Sequence, residues 1–547
     1  MARCKKHVPL LLGLFGFLLY ANNLGNEFVN YDDWWVVNNP DFLNWFSPSG
    51  LWNLFFNLSK DVRLEHCAEY LPVRDLSAAL QYQLFGENPF PYHLVQNALF
   101  GLSVFLLFHL ALAIGAVWEI ALVTSILFLV HPIHVETVTW LTGHKDILCL
   151  FFGISALLAF AKERIRLALF LFVLALGSKY IALVLVPIFP LIDRIRSRPL
   201  DPVKASSRYL PFFAFAVLTY VIAKYVGSVV GYQPLPLGSD LFGIVRNVLA
   251  LFDTAVVHLL APLHLQVYYP YEPVVSWADG RVWRGLLELL LLIRLLVWGW
   301  NDRSPLLPGC ALFFLTLLPT IRTTEIHLVA DRYLLLPSLG LSFVLAVGVR
   351  WIRFVWLRAV LIGTVVCVFS FLTFQQNRVW RSSIALWEQA ANGQAPVHRK
   401  VYENLAVVHR DAGNWKKSAG VYSYLLQTGD REDKGRLDQI INYSHVRIQL
   451  GELEEAEKVL ELGKALDLTS AKLFLNLGVA QAGQQKYKKA EKNFLKAQEL
   501  DPENIEVYFN LGRLALDQGN KVALRLYTKE LEKRVPTDPR LHLLKQF

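Results

Sequence analysis

Residues 471–504 read AKLFLNLGVAQAGQQKYKKAEKNFLKAQELDPEN, and this stretch decides the fold of the C-terminal part of the chain. Its small residues would let two helices approach closely, its large residues would fill the space between them, and Pro502 would end the second helix. These small and large positions are Phe474, Leu477, Gly478, Tyr487, Ala490, Phe494 and Ala497. The stretch therefore predicts a pair of packed α-helices.

The pattern recurs on both sides of this stretch with a period of about 34 residues, which is typical of tetratricopeptide repeats. When the four copies are aligned, each has an asparagine at the same position: Asn404, Asn442, Asn476 and Asn510. The copies are 399–432, 437–470, 471–504 and 505–538. Because at least three repeats are needed to bury a continuous core, residues 399–547 are predicted to form an α-solenoid. We interpret residues 376–398 as a linker or capping helix.

The composition of the whole chain points to a membrane protein. Its 547 residues are 54% hydrophobic, 13% aromatic and 18% charged, with a mean hydropathy of +0.36, which excludes a disordered or ordinary soluble chain. The long apolar runs all precede residue 375, so residues 1–375 are predicted to form a polytopic helical membrane domain. The net charge of +9 lies largely in short clusters between these runs, which favours membrane orientation over nucleic-acid binding. The five cysteines are scattered, so they predict neither a disulfide framework nor a metal motif.

The first apolar run, Val8–Leu24, follows a basic cluster at residues 3–6 and lacks a small-residue cleavage site, so we expect an uncleaved span with a cytoplasmic N-terminus. We count about eleven spans in all. The basic clusters can all face the cytoplasm only if residues 241–261 do not cross, so a re-entrant or interfacial helix is expected there. The odd count places everything after residue 375 on the outer side.

The outer loop 25–92 then carries two adjacent carboxylates, Asp32 and Asp33, among aromatic side chains. Like charges beside a low-dielectric wall raise at least one pKa, which suits a base that takes a proton from an alcohol. A solvated turn in which Asp33 caps a short helix is the alternative interpretation.

A second polar cluster, His131, His134 and Glu136, lies at the membrane boundary, where ionisable groups are costly and functional by default. A packed turn with satisfied imidazoles is one alternative; a metal site is a weaker one, because no HExxH or comparable spacing supports it. Cations at the same boundary would bind a lipid phosphate or serve as snorkelling anchors. They are Arg74, Lys179, Arg322 and Arg332.

Together these residues resemble the transmembrane-and-TPR-repeat-containing family of protein O-mannosyltransferases and its bacterial relatives, within the C-type glycosyltransferase fold. The likeness spans nearly the whole chain. The motifs that carry it are Tyr31-Asp32-Asp33, Asn39-Pro40-Asp41, Gly86-Glu87-Asn88-Pro89, Tyr92-His93, His131-Pro132-x-His134-x-Glu136, Gly143-x-Lys145-Asp146, Asp331-Arg332-Tyr333-Leu334 and Pro337-Ser338. The resemblance implies an inverting transfer of a sugar, often mannose, from a polyprenyl-phosphate carrier to a hydroxyl acceptor, commonly without a nucleotide-sugar donor.

The resemblance also implies roles for single residues. Asp32, with Asp33 beside it, would accept the proton of the acceptor hydroxyl as its oxygen attacks the anomeric carbon. Glu136 and His134 would orient the acceptor or complete the acid–base constellation. The departing lipid phosphate would be bound by Arg74, Lys145, Lys179 and Arg332, and the acceptor oriented by His131, His93 and Asp331.

Three positions depart from the family pattern. The family usually has Glu in place of Tyr180, and Arg in place of Leu71 and His144. Arg74 could stand in for the shifted arginine. If it does not, the resemblance implies altered substrate choice or lost activity.

We therefore expect a glycosyltransferase on the outer or luminal face, with the repeats binding the acceptor or a protein partner in their groove. The alternatives are a non-catalytic membrane scaffold for envelope or secretion assembly, and repeats that act only as a spacer. The expected partners are a membrane lipid carrier and a protein or glycan acceptor, without nucleic acid. No cofactor is expected to be obligatory, and a divalent metal is left open but not predicted. The breadth of the family favours a bacterial inner membrane with periplasmic repeats; in a eukaryote this would be the endoplasmic reticulum with luminal repeats.

Overall fold

The computed structural model describes residues 2–31, 33, 35, 39, 47–197, 202–231, 240–269, 272–304, 306–320, 329–393, 397–428 and 435–545. These residues form α-helices, short 3₁₀ helices and loops, and no β-strand occurs among them, which confirms the all-α prediction. They divide into two compact units, Met1–Val397 and His398–Phe547.

The first unit is a bundle of helices of very different lengths. Its α-helices are α1 (Ala2–Leu19), α2 (Pro48–Phe55), α3 (Lys60–Glu65), α4 (Pro72–Phe85), α5 (Pro89–Ala113), α6 (Trp118–Val130), α7 (Val135–Thr139), α8 (His144–Ala161), α9 (Ile165–Ser178), α10 (Ile188–Ile195), α11 (Pro202–Val230), α12 (Leu241–Leu260), α13 (Gly280–Asn301), α14 (Leu306–Leu317), α15 (Leu335–Arg350), α16 (Val355–Val379) and α17 (Ser383–Ala391). Its 3₁₀ helices are Ala21–Asn23, Pro132–His134, Leu141–Gly143, Tyr180–Leu185, Leu318–Thr320 and Asp331–Leu334.

Several of these helices are long and apolar enough to cross a membrane. Within the described ranges there are six, or seven if the bent pair of α6 and Pro132–Thr139 is counted as one span. The six are Pro89–Ala113, Leu141–Ala161, Ser206–Val230, Leu241–Leu260, Asp331–Arg350 and Val355–Val379. The predicted count of eleven is not confirmed, partly because the apolar runs at α9 and α14 form shorter helices. Residues 241–260 form one continuous helix, α12, of 20 residues and about 30 Å, which is long and apolar enough to cross a membrane. The expectation that residues 241–261 do not cross stays a prediction.

Helices α8 and α9 form a hairpin with charged groups at both ends. At its open end Lys179 pairs with Asp146. At its closed end Arg208 donates to Glu163 and Asp193 over 2.7–3.0 Å. Because α8 has 18 residues, about 27 Å of helix separates the two groups. The polar motifs and this charged cluster therefore lie at opposite ends of the same helices, which is the arrangement that the predicted topology requires.

Buried amides join the helices at the end where the polar motifs lie. Asn23 Nδ2 donates to Asn97 Oδ1 at 3.1 Å and to Thr139 Oγ1 at 3.2 Å. Thr139 Oγ1 in turn donates to Asn377 Oδ1 at 2.6 Å. Buried polar groups are stable when their hydrogen bonds are made, so this network fixes α5, α7 and α16 to the segment after α1.

Helix α17 folds back onto the loop that follows the first helix. Asn30 N donates to Ser383 Oγ at 2.7 Å, and Trp387 Nε1 donates to Asn30 O at 3.3 Å. The fully buried ring of Trp387 lies 5.7 Å from that of Tyr31, centroid to centroid. Residues 376–397, within the expected linker or capping helix, are thus part of the first unit.

The second unit is a series of helix pairs followed by one short helix. The helices are α18 (Arg399–Asp411), α19 (Trp415–Thr428), α20 (Arg436–Gln449), α21 (Leu453–Lys464), α22 (Ala471–Gly483), α23 (Tyr487–Leu500), α24 (Ile505–Asp517), α25 (Lys521–Arg534) and α26 (Leu541–Lys545). Gly478 shows why the pattern uses small residues, because a Cβ atom there would overlap the ring of Phe494. The helix pairs confirm the predicted solenoid.

The turn within each helix pair has one residue in the left-handed conformation. These residues are Gly413 (φ 73°), Gly451 (φ 77°), Gln485 (φ 60°) and Gly519 (φ 68°). Glycine adopts this conformation at little cost, whereas a residue with a Cβ atom is strained by it. Gln485 is therefore the strained member of the series.

Candidate active site

A cavity of about 160 Å³ lies at the open end of the α8–α9 hairpin. Among the described residues, four charged side chains from well-separated segments line it: Glu69, Asp146, Lys179 and Arg332. Part of the remaining wall is apolar and consists of Leu183, Val184, Leu335 and Leu336. Paired charges and an apolar surface thus share one cavity.

Glu69 holds two cations beside this cavity. Its Oε2 atom accepts from Arg74 Nη1 at 2.5 Å and from Lys145 Nζ at 2.9 Å. Burial alone would raise the pKa of Glu69, but Lys145 and Arg74 outweigh this effect and lower the pKa to about 2. Glu69 is therefore ionised at neutral pH and fixes the positions of both cations.

Arg74 also donates hydrogen bonds to two groups other than Glu69. Its Nε donates to Asp75 Oδ1 at 2.7 Å, and its Nη2 donates to His66 O at 3.0 Å. Burial would raise the pKa of Asp75, but Arg74 and the hydrogen bond with His66 lower it. The chain between His66 and Glu69 is strained, because Cys67 and Ala68 both have φ 57°. Such strain persists only where the surrounding contacts impose it, here at the approach to the cavity.

Lys179 and Asp146 form the second ion pair. Lys179 Nζ donates to Asp146 Oδ1 and lies 5.9 Å from the centre of the Tyr333 ring. The other carboxylate oxygen, Asp146 Oδ2, is buried and has no hydrogen-bond partner in the part of the chain that the structure describes. The two side chains are 13% and 5% exposed, so this pair is reached mainly through the cavity.

Arg332 and Glu136 form the third ion pair, and their side chains are 9% and 2% exposed. Arg332 Nη1 donates to Glu136 Oε1 and, at 3.2 Å, to Tyr31 Oη, while Arg332 N donates to Glu136 Oε2 at 2.8 Å. The guanidinium lies 5.0–5.8 Å from the rings of Tyr31, Trp140 and Tyr333. Burial, partly opposed by Arg332, raises the pKa of Tyr31, so its hydroxyl is neutral. Glu136 thus orients Arg332, and both of its oxygens are engaged.

Of the two adjacent carboxylates of the acidic motif, Asp32 and Asp33, the structure describes only Asp33. Asp33 is 1% exposed, and its carboxylate accepts from Val29 N at 2.9 Å, Thr142 N at 3.0 Å and Thr142 Oγ1 at 2.8 Å. Through these hydrogen bonds, Asp33 joins the first loop to the turn before α8. Asp32, the residue expected to be the base, lies outside the described residues, as does Arg322.

The predicted histidines are buried, and none of them lines the cavity. His131 Nε2 contacts Leu259 O at 2.8 Å, and His134 Nε2 contacts Ser338 Oγ at 2.8 Å. His93 is 1% exposed on α5. These three side chains are packed among the helices of the first unit.

Asp331 is next to Arg332 but contacts a different group. Its Oδ1 atom accepts from Tyr269 Oη at 2.6 Å, and Tyr269 Oη accepts from Gln266 N at 2.9 Å. Among the described residues, no group of three His, Cys, Asp or Glu side chains is arranged to hold a metal ion.

Two of the positions that depart from the family pattern meet at one backbone segment. Tyr180 Oη accepts from Tyr70 N at 2.8 Å and donates to Tyr70 O at 3.0 Å. The adjacent Leu71 is fully buried. At the third position, His144 Nε2 contacts Ser77 Oγ at 2.8 Å. All three side chains thus have packing or hydrogen-bonding roles around the cavity.

Two charged residues that line the cavity, Glu69 and Asp146, have no role in the interpretation of the sequence. The sequence does contain a signal for Asp146, since it follows Lys145 in the motif Gly143-x-Lys145-Asp146. The only sequence signal for Glu69 is its position in the polar outer loop, five residues before Arg74. Neither spacing reveals that Glu69 and Lys145, 76 residues apart, form an ion pair.

Homologues of this chain are protein O-mannosyl-transferases. Human TMTC3 is 24% identical over 629 aligned residues, which cover 96% of this chain and 68% of that protein. Caenorhabditis elegans F38B6.6 is 23% identical over 76% of this chain and 61% of that protein. Xenopus laevis tmtc2 is 34% identical over 28% of this chain and 18% of that protein. These relatives confirm the resemblance to the TMTC family, and the chain spans about two thirds of their length or less.

A tetratricopeptide-repeat family profile matches residues 475–539. Two solved structures are similar to part of the chain. MamA from Desulfovibrio magneticus RS-1 is 16% identical, over 29% of this chain and 86% of that chain, with a TM-score of 0.26. YrrB, described as a TPR protein with an unusual peptide-binding site, is 16% identical, over 33% of this chain and 90% of that chain, with a TM-score of 0.27.

Proposed function

We propose that this protein transfers a sugar, mannose or a similar hexose, from a polyprenyl-phosphate carrier to a hydroxyl group of a protein or glycan acceptor. The observation that carries the proposal is the convergence of Lys179 and Arg332 at one cavity with an apolar wall, where Glu69, which also lines the cavity, binds Lys145. The names of the homologues supply the reaction class, glycosyl transfer to protein hydroxyls.

The cavity suits a lipid phosphate on two counts. Lys179 and Arg332 supply cationic donors, and Arg332 is a planar donor matched to phosphate oxygens. Leu183 and Leu335 supply an apolar surface for the first part of a prenyl chain. The ion pairs with Asp146 and Glu136 hold these cations in place before the carrier binds.

The proposed reaction is a single displacement at the anomeric carbon. The acceptor oxygen forms a bond to that carbon while the bond to the phosphate oxygen breaks, and the electron pair leaves with the phosphate. Asp32 takes the proton of the acceptor hydroxyl. Negative charge grows on the leaving phosphate, so positioned cations stabilise the transition state more than the ground state. Attack opposite the leaving group inverts the configuration.

The test is transfer by the purified full chain. We expect incubation with mannosyl polyprenyl phosphate and a membrane extract to add a hexose to acceptors, detected by mass spectrometry. Lys179→Met should slow transfer by about a hundred- to a thousandfold, the usual effect of removing one such donor. Asp32→Asn should abolish transfer with the fold intact, whereas Asp302→Asn, an exposed control between α13 and α14, should not.

A non-catalytic scaffold makes the opposite prediction. In that case, Asp32→Asn and Lys179→Met would leave hexose levels on acceptors unchanged. A folded wild-type chain that transfers no hexose from any carrier would also contradict the proposal.

We further propose that the repeats bind the acceptor polypeptide or a protein that delivers it, since arrays of helix pairs commonly bind peptides in their groove. Membrane insertion is supported by the apolar helices and by the homologues. The proposed location of the cavity is the extracytoplasmic face, periplasmic in a bacterium and luminal in a eukaryote.

A further inference from the structure

Asp146 has one carboxylate oxygen that the protein itself does not satisfy. Its Oδ1 atom accepts from Lys179 Nζ, whereas its Oδ2 atom is buried without a hydrogen-bond partner among the described residues. A buried acceptor without a partner is costly, and native structures keep one mainly where a ligand, water or catalytic role accounts for it. The carboxylate is 5% exposed and belongs to the cavity wall, so a missing partner would come from the cavity.

The position of Asp146 limits what that partner can be. A second anion beside the carboxylate that pairs with Lys179 would be repelled, so a phosphate oxygen is the wrong partner for Oδ2. A hydroxyl group donates to a carboxylate and makes a short, charge-assisted hydrogen bond. In a sugar phosphate the hydroxyl groups lie next to the phosphate, as the Asp146 carboxylate lies next to the Lys179 ammonium.

We propose that Asp146 is a specificity-determining residue that recognises a hydroxyl group of the transferred sugar through Oδ2. Lys179 holds the carboxylate through Oδ1 and binds the phosphate of the same carrier. This inference rests on the proposed function and names a contact that the reaction class does not specify. The alternative role for Asp146 is to position Lys179 alone.

The two roles differ in what the sugar contributes to binding. If Asp146 recognises the sugar, the full chain binds a sugar-loaded carrier more tightly than the bare polyprenyl phosphate, and this preference depends on Oδ2. A site built around a substrate hydroxyl strongly rejects an analogue that lacks it. If Asp146 only positions Lys179, its loss weakens binding of both carriers by the same factor.

Asp146→Asn separates these roles. The amide oxygen of the asparagine would stay on the Lys179 ammonium, which leaves an NH₂ group in place of Oδ2. We expect the wild type to bind mannosyl polyprenyl phosphate at least about tenfold more tightly than polyprenyl phosphate, measured with purified full chain in detergent micelles. In the variant this preference should fall to about threefold or less, with affinity for the bare carrier unchanged or higher. Ser155→Ala, on α8 but away from the cavity, is the matched control and should keep the preference.

A second measurement uses only the wild type, so it does not depend on folding of the variant. Carriers whose sugar lacks one hydroxyl group are compared with the complete sugar, and one of them should bind about tenfold more weakly. Equal affinity for all of them would overturn the inference, as would equal weakening of both carriers by Asp146→Asn. If sugar transfer occurs and these losses are absent, only this inference fails. If the wild type neither binds nor uses a sugar-loaded carrier, the proposed function fails with it.

Discussion

Glu69 links the two cations beside the cavity, and its ionisation should be visible in the pH dependence of stability. Its pKa is lowered to about 2 in the folded protein, below the ordinary value of 4.5. The stabilisation is therefore complete above about pH 4.5 and is lost as the pH falls towards 2, because the unfolded chain takes up the proton first. We expect the difference in Tm between the wild type and Glu69→Gln to be constant above about pH 5 and to shrink at lower pH.

The control for this titration is Glu163→Gln. Glu163 pairs with Arg208 while 44% exposed, so its effect on Tm should be small at every pH. A wild-type advantage over Glu69→Gln that stays constant from pH 7 to pH 3 would contradict the role given to Glu69.

Arg332 and Glu136 allow a test of a deeply buried ion pair. Arg332→Met should leave Glu136, which is 2% exposed, without its charge partner and lower the free energy of unfolding by about 3–5 kcal/mol. Adding Glu136→Gln should recover much of that loss, because the uncompensated charge is removed. Chemical denaturation in detergent measures both. Additive losses in the double variant would show that the two side chains do not act as a pair.

Asp33 shows where reasoning from single residues falls short. Its neighbour in sequence, Asp32, suggests a catalytic pair. The structure adds hydrogen bonds from Val29 and from Thr142, which is 109 residues away, so Asp33 also joins two segments. No local spacing reveals a partner at that separation, because the tertiary fold creates it.

At the scale of helices and turns, the repeat turns offer a test of backbone strain. Gln485 has φ 60° where the equivalent residues of the other three pairs are glycines. Gln485→Gly should stabilise the second unit by about 1 kcal/mol, because glycine adopts this conformation without a Cβ penalty. Hydrogen exchange of α22 and α23 in the full chain should slow accordingly.

The matched change in the opposite direction is Gly451→Gln. It should destabilise α20 and α21 by a similar free energy, so their hydrogen exchange should become faster. Faster exchange in Gln485→Gly would show that contacts of the glutamine side chain outweigh the strain.

The elements differ in how well their sequences predict them. The repeat helices can be predicted because their period of about 34 residues places small residues where helices pack closely, as with Gly478 against the ring of Phe494. The membrane helices cannot be predicted in this way, because hydropathy marks apolar runs but not where they break. The apolar stretch at 167–192 becomes α9, a 3₁₀ segment and α10, and the polar residues of α12 do not interrupt its helix.

At the scale of the whole membrane unit, the topology can be tested by labelling cysteines from each side. Cys67 is exposed beside the cavity, and Arg164 is exposed at the closed end of the α8–α9 hairpin. In a background with Cys4→Ser and Cys367→Ser, an impermeant thiol reagent should modify Cys67 from the outer side only. In the same background with Cys67→Ser, Arg164→Cys should react from the cytoplasmic side only. Labelling of both positions from one side would contradict the proposed topology.

The candidate site follows from the sequence only in part. The motifs at 131–146 and 331–334 were singled out because ionisable groups at a membrane boundary need a reason. Their pairing could not be predicted, since Arg332 and Glu136 are 196 residues apart. Charge type and approximate place can thus be derived from the sequence, whereas the choice of partner depends on how the helices pack.

Helix α17 determines where the repeats can be removed. A cut straight after α16 would delete Ser383 and Trp387, which support the loop at Asn30 and Tyr31. A loss of activity in this truncation would look like a requirement for the repeats. It would instead come from removing the contacts by which α17 supports the loop of the first unit. A truncation meant to isolate the membrane part should therefore retain everything through Ala391.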